Sequence, residues 1–122
     1  MGLTYEVDAA AGIVLERWSG SVFARDFEDH LALMLGDVRA LACRGNLADV
    51  TECGPKFTGE QLGELVQHTI KPGLRGTRRR IAVVVRGPEQ YGMARQFQMF
   101  AEAFCDVEIF TDAPIAREWL LR

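Results

Sequence analysis

The residues with chemistry to offer fall into three groups. Asp49 and Thr51 close the segment Leu47-Ala48-Asp49-Val50-Thr51, and Thr58 follows beyond a loop. Asp49 would stand near the C-terminal end of a central strand, the edge where open α/β sheets receive ligands. The plainer role for such an acid is to cap a neighbouring loop. Thr58 precedes Gln61 by three residues, the spacing of a capping box. Its hydroxyl would therefore sit at a helix N-terminus, where the dipole and free N–H groups would stabilise an added phosphate. An ordinary N-cap, worth about 1 kcal/mol, is the alternative. Thr51 is a second hydroxyl that could take a phosphate.

The second group is Arg86-Gly87-Pro88-Glu89-Gln90-Tyr91-Gly92. Arg86 and a helix N-terminus could hold an anion and Tyr91 could wall a pocket, or the glycines and proline simply make a tight turn. The third group is Met93, Phe97, Met99 and Phe100. Met93 and Phe97 fit one helical face and read as core; with Met99 off that stripe, an adaptable apolar pocket or a dimer patch is the other reading.

Catalytic and metal signatures are missing. No P-loop, GxGxxG or GxSxG occurs, and Asp49 with Tyr91 is the only pairing open to acid–base chemistry. His30 and His68 fall on different helices, and Cys43, Cys53 and Cys105 lie far apart, so zinc spacing is absent. We expect no enzyme activity, no metal and no cofactor. Cys43 and Cys105 read as buried, and Cys53 as an exposed loop thiol.

These residues need a scaffold, and hydrophobic periodicity supplies one. The clearest element is Arg80-Ile81-Ala82-Val83-Val84-Val85-Arg86, an unalternated apolar run that suits a strand covered on both faces. Tyr5–Val7 and Ile13–Trp18 read as a hairpin. Phe23, Phe27, Leu31, Met34, Leu35 and Val38 mark an amphipathic helix over 21–37. Gly45-Asn46 reads as a turn, 47–51 as a short strand, and Gly54-Pro55-Lys56 as a loop. A second helix starts at Gly59 and ends at Lys71-Pro72-Gly73. The basic run Arg75–Arg80 reads as a solvated turn before a buried strand, with phosphate-bearing ligands or anionic lipid headgroups as the other reading. A third helix over 89–104, a strand Val107–Thr111, and a last helix capped by Asp112 with Ile115, Trp119 and Leu120 inward complete the chain. The expected fold is a single α/β domain over 1–122. Its order is ββαβαβαβα: a mixed, mostly parallel sheet with an N-terminal hairpin and four helices.

Composition narrows the setting. The 122 residues carry a net charge of -3 and 25% charged residues, which argues against nucleic acid as a partner. Free, scattered cysteines suit a reducing compartment. No apolar run reaches the ~20 residues of a membrane span, and Met1–Glu6 lacks the head of a signal peptide. The expected location is the cytoplasm.

The element order, with the Tyr5-Glu6-Val7 strand, Trp18-Ser19-Gly20, the Asp49-Val50-Thr51 strand end, Arg80–Val85 and the closing Trp119-Leu120, resembles the SpoIIAA-like family. That family is related to STAS domains and to CRAL-TRIO lipid carriers. The resemblance implies a small non-enzymatic domain, often dimeric. One implied role is a regulatory module that binds a protein partner, as anti-sigma-factor antagonists do. The alternative is a carrier or sensor of a small apolar or lipid-like ligand. In the antagonists a phosphorylated serine opens the helix after this strand, within an Asp-Ser-Ser-Gly type sequence. Here Thr58-Gly59 is the nearest match, but Lys56-Phe57 replaces the acid and the first serine. A homodimer through the second helix, with Gly63 allowing close approach, is the expected assembly.

Overall fold

A computed structural model describes residues 2–122. Five strands form one sheet in strict chain order: β1 Gly2–Asp8, β2 Ile13–Val22, β3 Gly45–Pro55, β4 Arg79–Val84 and β5 Cys105–Phe110. The β1–β2 hairpin is antiparallel and the other three pairings are parallel. Each parallel step needs a crossover, and right-handed crossovers that always advance in one direction fall on one face. Helix α1 (Ala24–Leu35), helix α3 (Gly59–Leu65) and helix α4 (Pro88–Ala101) accordingly share that face. Helix α5 (Ala113–Leu121) covers the other, with Ala116 and Leu120 on Ile13, Leu47, Ala82 and Val84. The apolar run is thus buried from both sides.

Several boundaries differ from the expectation, each for a stated reason. Strand β3 is much longer than 47–51 and absorbs both the supposed turn at Gly45-Asn46 and the supposed loop at Gly54-Pro55. It lies between β2 and β4 at its start, so its backbone is paired even where side-chain composition suggests a turn. Past Asp49 only β2 pairs with it, and there Pro55, which has no N–H, is tolerated opposite Val22. A register shift between Arg17 and Ser19 of β2 accommodates the extra length. Since β2 runs to Val22, α1 starts only after Phe23, whose N–H is taken by Asp26 Oδ2 at 2.8 Å. Gly36 closes α1, and Asp37 caps a fifth, single-turn helix, α2 Val38–Leu41, by accepting from the Arg39 N–H. Phe23 and Val38, expected inward, are exposed in consequence, and so is Ile115, whose helix turns Ala116 inward instead.

Helix α3 has an irregular continuation. After Leu65 the chain adopts a π-helical turn, Val66–Ile70, before a last turn, Lys71–Gly73. Pro72 has no N–H to give to His68, and its ring would crowd that carbonyl. The ladder slips so that the Lys71 N–H reaches Val66 O, five residues back.

One position requires glycine for close approach. A β-carbon on Gly45 would run into the Arg80 carbonyl of β4 and the Leu120 side chain of α5. Gly45→Ala should therefore force the β3–β4 ladder apart and lower stability by about 1–3 kcal/mol, read from urea midpoints. An unchanged midpoint would mean the two strands can part without cost.

Candidate functional site

Between the sheet and its three-helix layer lies a cavity of about 70 Å³. Leu31 of α1, Val50 of β3, Ile70 of the π turn, Val83 of β4 and Met93 and Phe97 of α4 all line it. Strand parity sends Ala48, Val50 and Val83 to this face, and the α4 stripe brings in Met93 and Phe97. Met99 and Phe100 lie outside its wall; Met99 is 59% exposed.

The same wall contains Glu16, Asn46 and Arg79, members of a buried polar network. Glu16 Oε1 lies 2.8 Å from His30 Nε2 and, at 3.4 Å, accepts from the Trp18 indole N–H; Glu16 Oε2 accepts from Asn46 Nδ2 at 2.7 Å. Asn46 Oδ1 in turn accepts from Arg79 Nε. The two terminal guanidinium nitrogens donate to Cys43 O at 3.0 Å and Ala40 O at 2.9 Å. One strand-parity frame thus places Glu16, Asn46 and Arg79 on three adjacent strands, with His30 descending from α1. Arg79 therefore departs from the solvated turn in which the sequence reading placed it, and His30 is 4% exposed. Among the described residues, no buried side-chain nitrogen or oxygen lacks a partner.

Burial alone would push the Glu16 carboxyl up. The His30 hydrogen bond and charge, with the Asn46 and Trp18 hydrogen bonds, outweigh that and hold it below its ordinary value. At the network's edge Asp37 is held at about 2 by hydrogen bonds from Arg39 and then Tyr5, whose hydroxyl donates at 2.8 Å and ties β1 to the α1–α2 junction.

The C-terminal edge of the sheet is closed by its own contacts. Asp49 Oδ1 accepts from both the N–H and the hydroxyl of Thr51, at 3.0 and 2.6 Å. Arg86 meets Glu52 at 3.2 Å. Gln90 takes the Arg86 N–H with its oxygen and gives its amide to Thr51 O and Cys53 O. Thr58 is exposed and caps α3, accepting from the Gln61 N–H at 3.1 Å while Gln61 returns a bond to its N–H. Tyr91 is half exposed on α4. The structure therefore divides the sequence candidates, with Met93 and Phe97 at the cavity and Asp49, Thr51, Thr58, Arg86 and Tyr91 away from it. Gly63, expected at a dimer contact, faces the Phe100 ring of its own chain.

Cys53 is buried, contrary to expectation, because β3 continues through it. Burial, with the charge of Glu89, pushes its thiol up to about 11. Among the described residues no group of histidine, cysteine and acidic side chains could hold a metal, and no helix is long and apolar enough to cross a membrane.

No protein-family model and no curated protein matches this chain. Its fold matches the crystal structure of an uncharacterized protein from the DUF3478 family with a SpoIIAA-like fold, from Shewanella loihica PV-4. The TM-score is 0.66 at 20% identity, covering 98% of this chain and 94% of that one. The fold is SpoIIAA-like.

Two outcomes follow from this geometry. A carboxyl whose folded value is depressed adds stability above its ordinary value near 4.5, and that stability is lost as pH falls through the folded value. Glu16→Gln should therefore be less stable at pH 7 and show a flatter loss of midpoint below pH 4.5 than wild type; parallel curves would remove Glu16 from the acid transition. Iodoacetamide at pH 8 should leave Cys53 unlabelled until the protein unfolds, and rapid native labelling would show that β3 opens there.

Proposed function

We propose that the protein binds a small, predominantly apolar molecule in the cavity beneath α1, α3 and α4, as a non-enzymatic carrier or sensor. The supporting observation is a largely apolar void whose polar neighbours all have hydrogen-bond partners within the chain. Every polar side-chain atom of Glu16, Asn46 and Arg79 already has a hydrogen-bond partner, and most of the remaining lining is apolar, so an apolar guest fits this wall better than a polar one. At about 70 Å³ the void is roughly half the ~150 Å³ of a cavity that takes benzene. It suits a short alkyl group as it stands, and a longer chain only if the helical layer shifts. The π turn at Ile70 places an irregular helical step on the cavity's border.

A protein-binding role centred on Asp49 and Thr58 has less to support it. The polar groups there already have intramolecular partners, and the Thr58 hydroxyl is engaged in its cap. A partner protein or a second copy would have to recognise the outer helical surface instead.

Native mass spectrometry of protein purified without detergent, together with xenon-pressurised crystals, tests the apolar reading. We expect mass in excess of the chain that is lost on denaturation, or a xenon atom in contact with Val83, Met93 and Phe97. A bare chain mass combined with a cavity that takes up no xenon would overturn it.

A further inference from the structure

Where the segment from His68 to Arg78 meets Ala103 and Phe104 beyond α4 lies a surface hollow of about 600 Å³, lined by His68, Lys71, Arg75, Arg78 and Phe104 among others. No acidic side chain lines it. Arg78 is already engaged, by Asp106 at 2.9 Å and by the carbonyls of Glu102, Ala103 and Cys105, and His68 lies 3.5 Å from Glu64. Lys71 and Arg75 form no ion pair among the described residues, so in a chain of net charge -3 this hollow presents two uncompensated cations. The Lys71 ammonium stands 6.0 Å from the centre of the Phe104 ring.

Two backbone features coincide here. Arg75 has φ +53°, the one non-glycine residue with positive φ among those described. Such a conformation is strained for a residue with a β-carbon, and strain of this kind clusters at functional positions. The π turn contributes to both compartments: Gln67 and His68 line the hollow, and Ile70 lines the inner cavity. Leu74 lines both, a buried side chain bordering the cationic hollow on one side and the apolar void on the other.

We propose that the ligand is an amphiphile with a phosphate-like anionic head, held by Lys71 and Arg75, its apolar chain passing Leu74 into the cavity. This rests on the apolar reading above and adds the head group. A phosphate offers several acceptor oxygens, and ammonium and guanidinium donors make charge-assisted bonds to it. An apolar tail alone could not use these cations, and a free phosphate alone could not use the void. Leu74, displaced by a bending of the π turn, is the point of passage.

The Trp18 indole N–H, in the cavity wall, serves as an NMR reporter of the tail, and the Arg75 and Gly76 amides report the head. The probes are 1-hexanol, hexyl phosphate and inorganic phosphate, titrated into wild type and into Lys71→Gln/Arg75→Gln, which alters only exposed side chains. We expect hexanol to shift Trp18 in both proteins with equal affinity. Hexyl phosphate should bind wild type at least tenfold more tightly than hexanol does, and the double variant should lose that advantage. Equal affinity for the two probes, or an undiminished advantage in the variant, would overturn the head site while leaving the apolar reading intact. Inorganic phosphate binding at Arg75 as tightly as hexyl phosphate, with Trp18 unmoved by either, would make the hollow a free-phosphate site and overturn the amphiphile. If no probe moves Trp18, the tail does not enter the cavity and the amphiphile is overturned, while the xenon experiment decides the apolar reading separately.

Discussion

The structure depends on the need to satisfy a carboxylate at the bottom of an apolar layer. Glu16 is buried on β2, and a buried charge is tolerable only when it is paired and hydrogen-bonded. Its partners come from α1, β3 and its own strand, and Arg79 completes the chain from β4. The network therefore stitches three neighbouring strands and one helix in a single register. A one-residue slip of any of these strands would turn its polar member to the opposite face and orphan the others. Arg79 also reaches the carbonyls at the end of α2 and just beyond it, fixing the short segment that joins α1 to β3.

This arrangement also sets what the cavity can be. Where three helices lie over five strands and part of the interior is occupied by hydrogen-bonded polar side chains, apolar packing must fit around a rigid cluster. The void occurs beside that cluster, between Met93, Phe97 and the sheet. Methionine and the π turn are both adaptable elements at its margin. The opposite face, covered by α5 alone, has a smaller core in which Arg80 stacks on the Trp119 ring at 4.3 Å.

Much of the fold was legible because it rests on local signals. The run Ile81–Val85 announced a doubly covered strand, the Thr58/Gln61 and Asp112 caps announced helix starts, and the hairpin was visible from its short link. The polar network was less legible, because charged residues are read as surface by default. The clue was positional: Glu16 shares parity with Val14 and Trp18, Arg79 with Ile81 and Val83, and His30 lies on the stripe of Phe27, Leu31 and Met34. Cys53 reads as a loop residue for a different reason. Its strand is held by pairing to β2, a long-range fact that Gly54 and Pro55 conceal. The cavity had no sequence signal beyond Met93 and Phe97, since a void is a property of how volumes fit rather than of any residue.

The strict order of the strands bears on how the chain acquires this shape. Each new strand docks beside the one made just before it, and none must be inserted between two already paired. A nascent chain can therefore add units in the direction of synthesis, each closing a loop of modest entropy. Until β4 is paired, the Glu16–His30–Asn46 cluster lacks its arginine. The longest closure comes last, when Arg117 of α5 reaches back to Asp8 at 3.0 Å and joins the two ends of the sequence across the finished sheet.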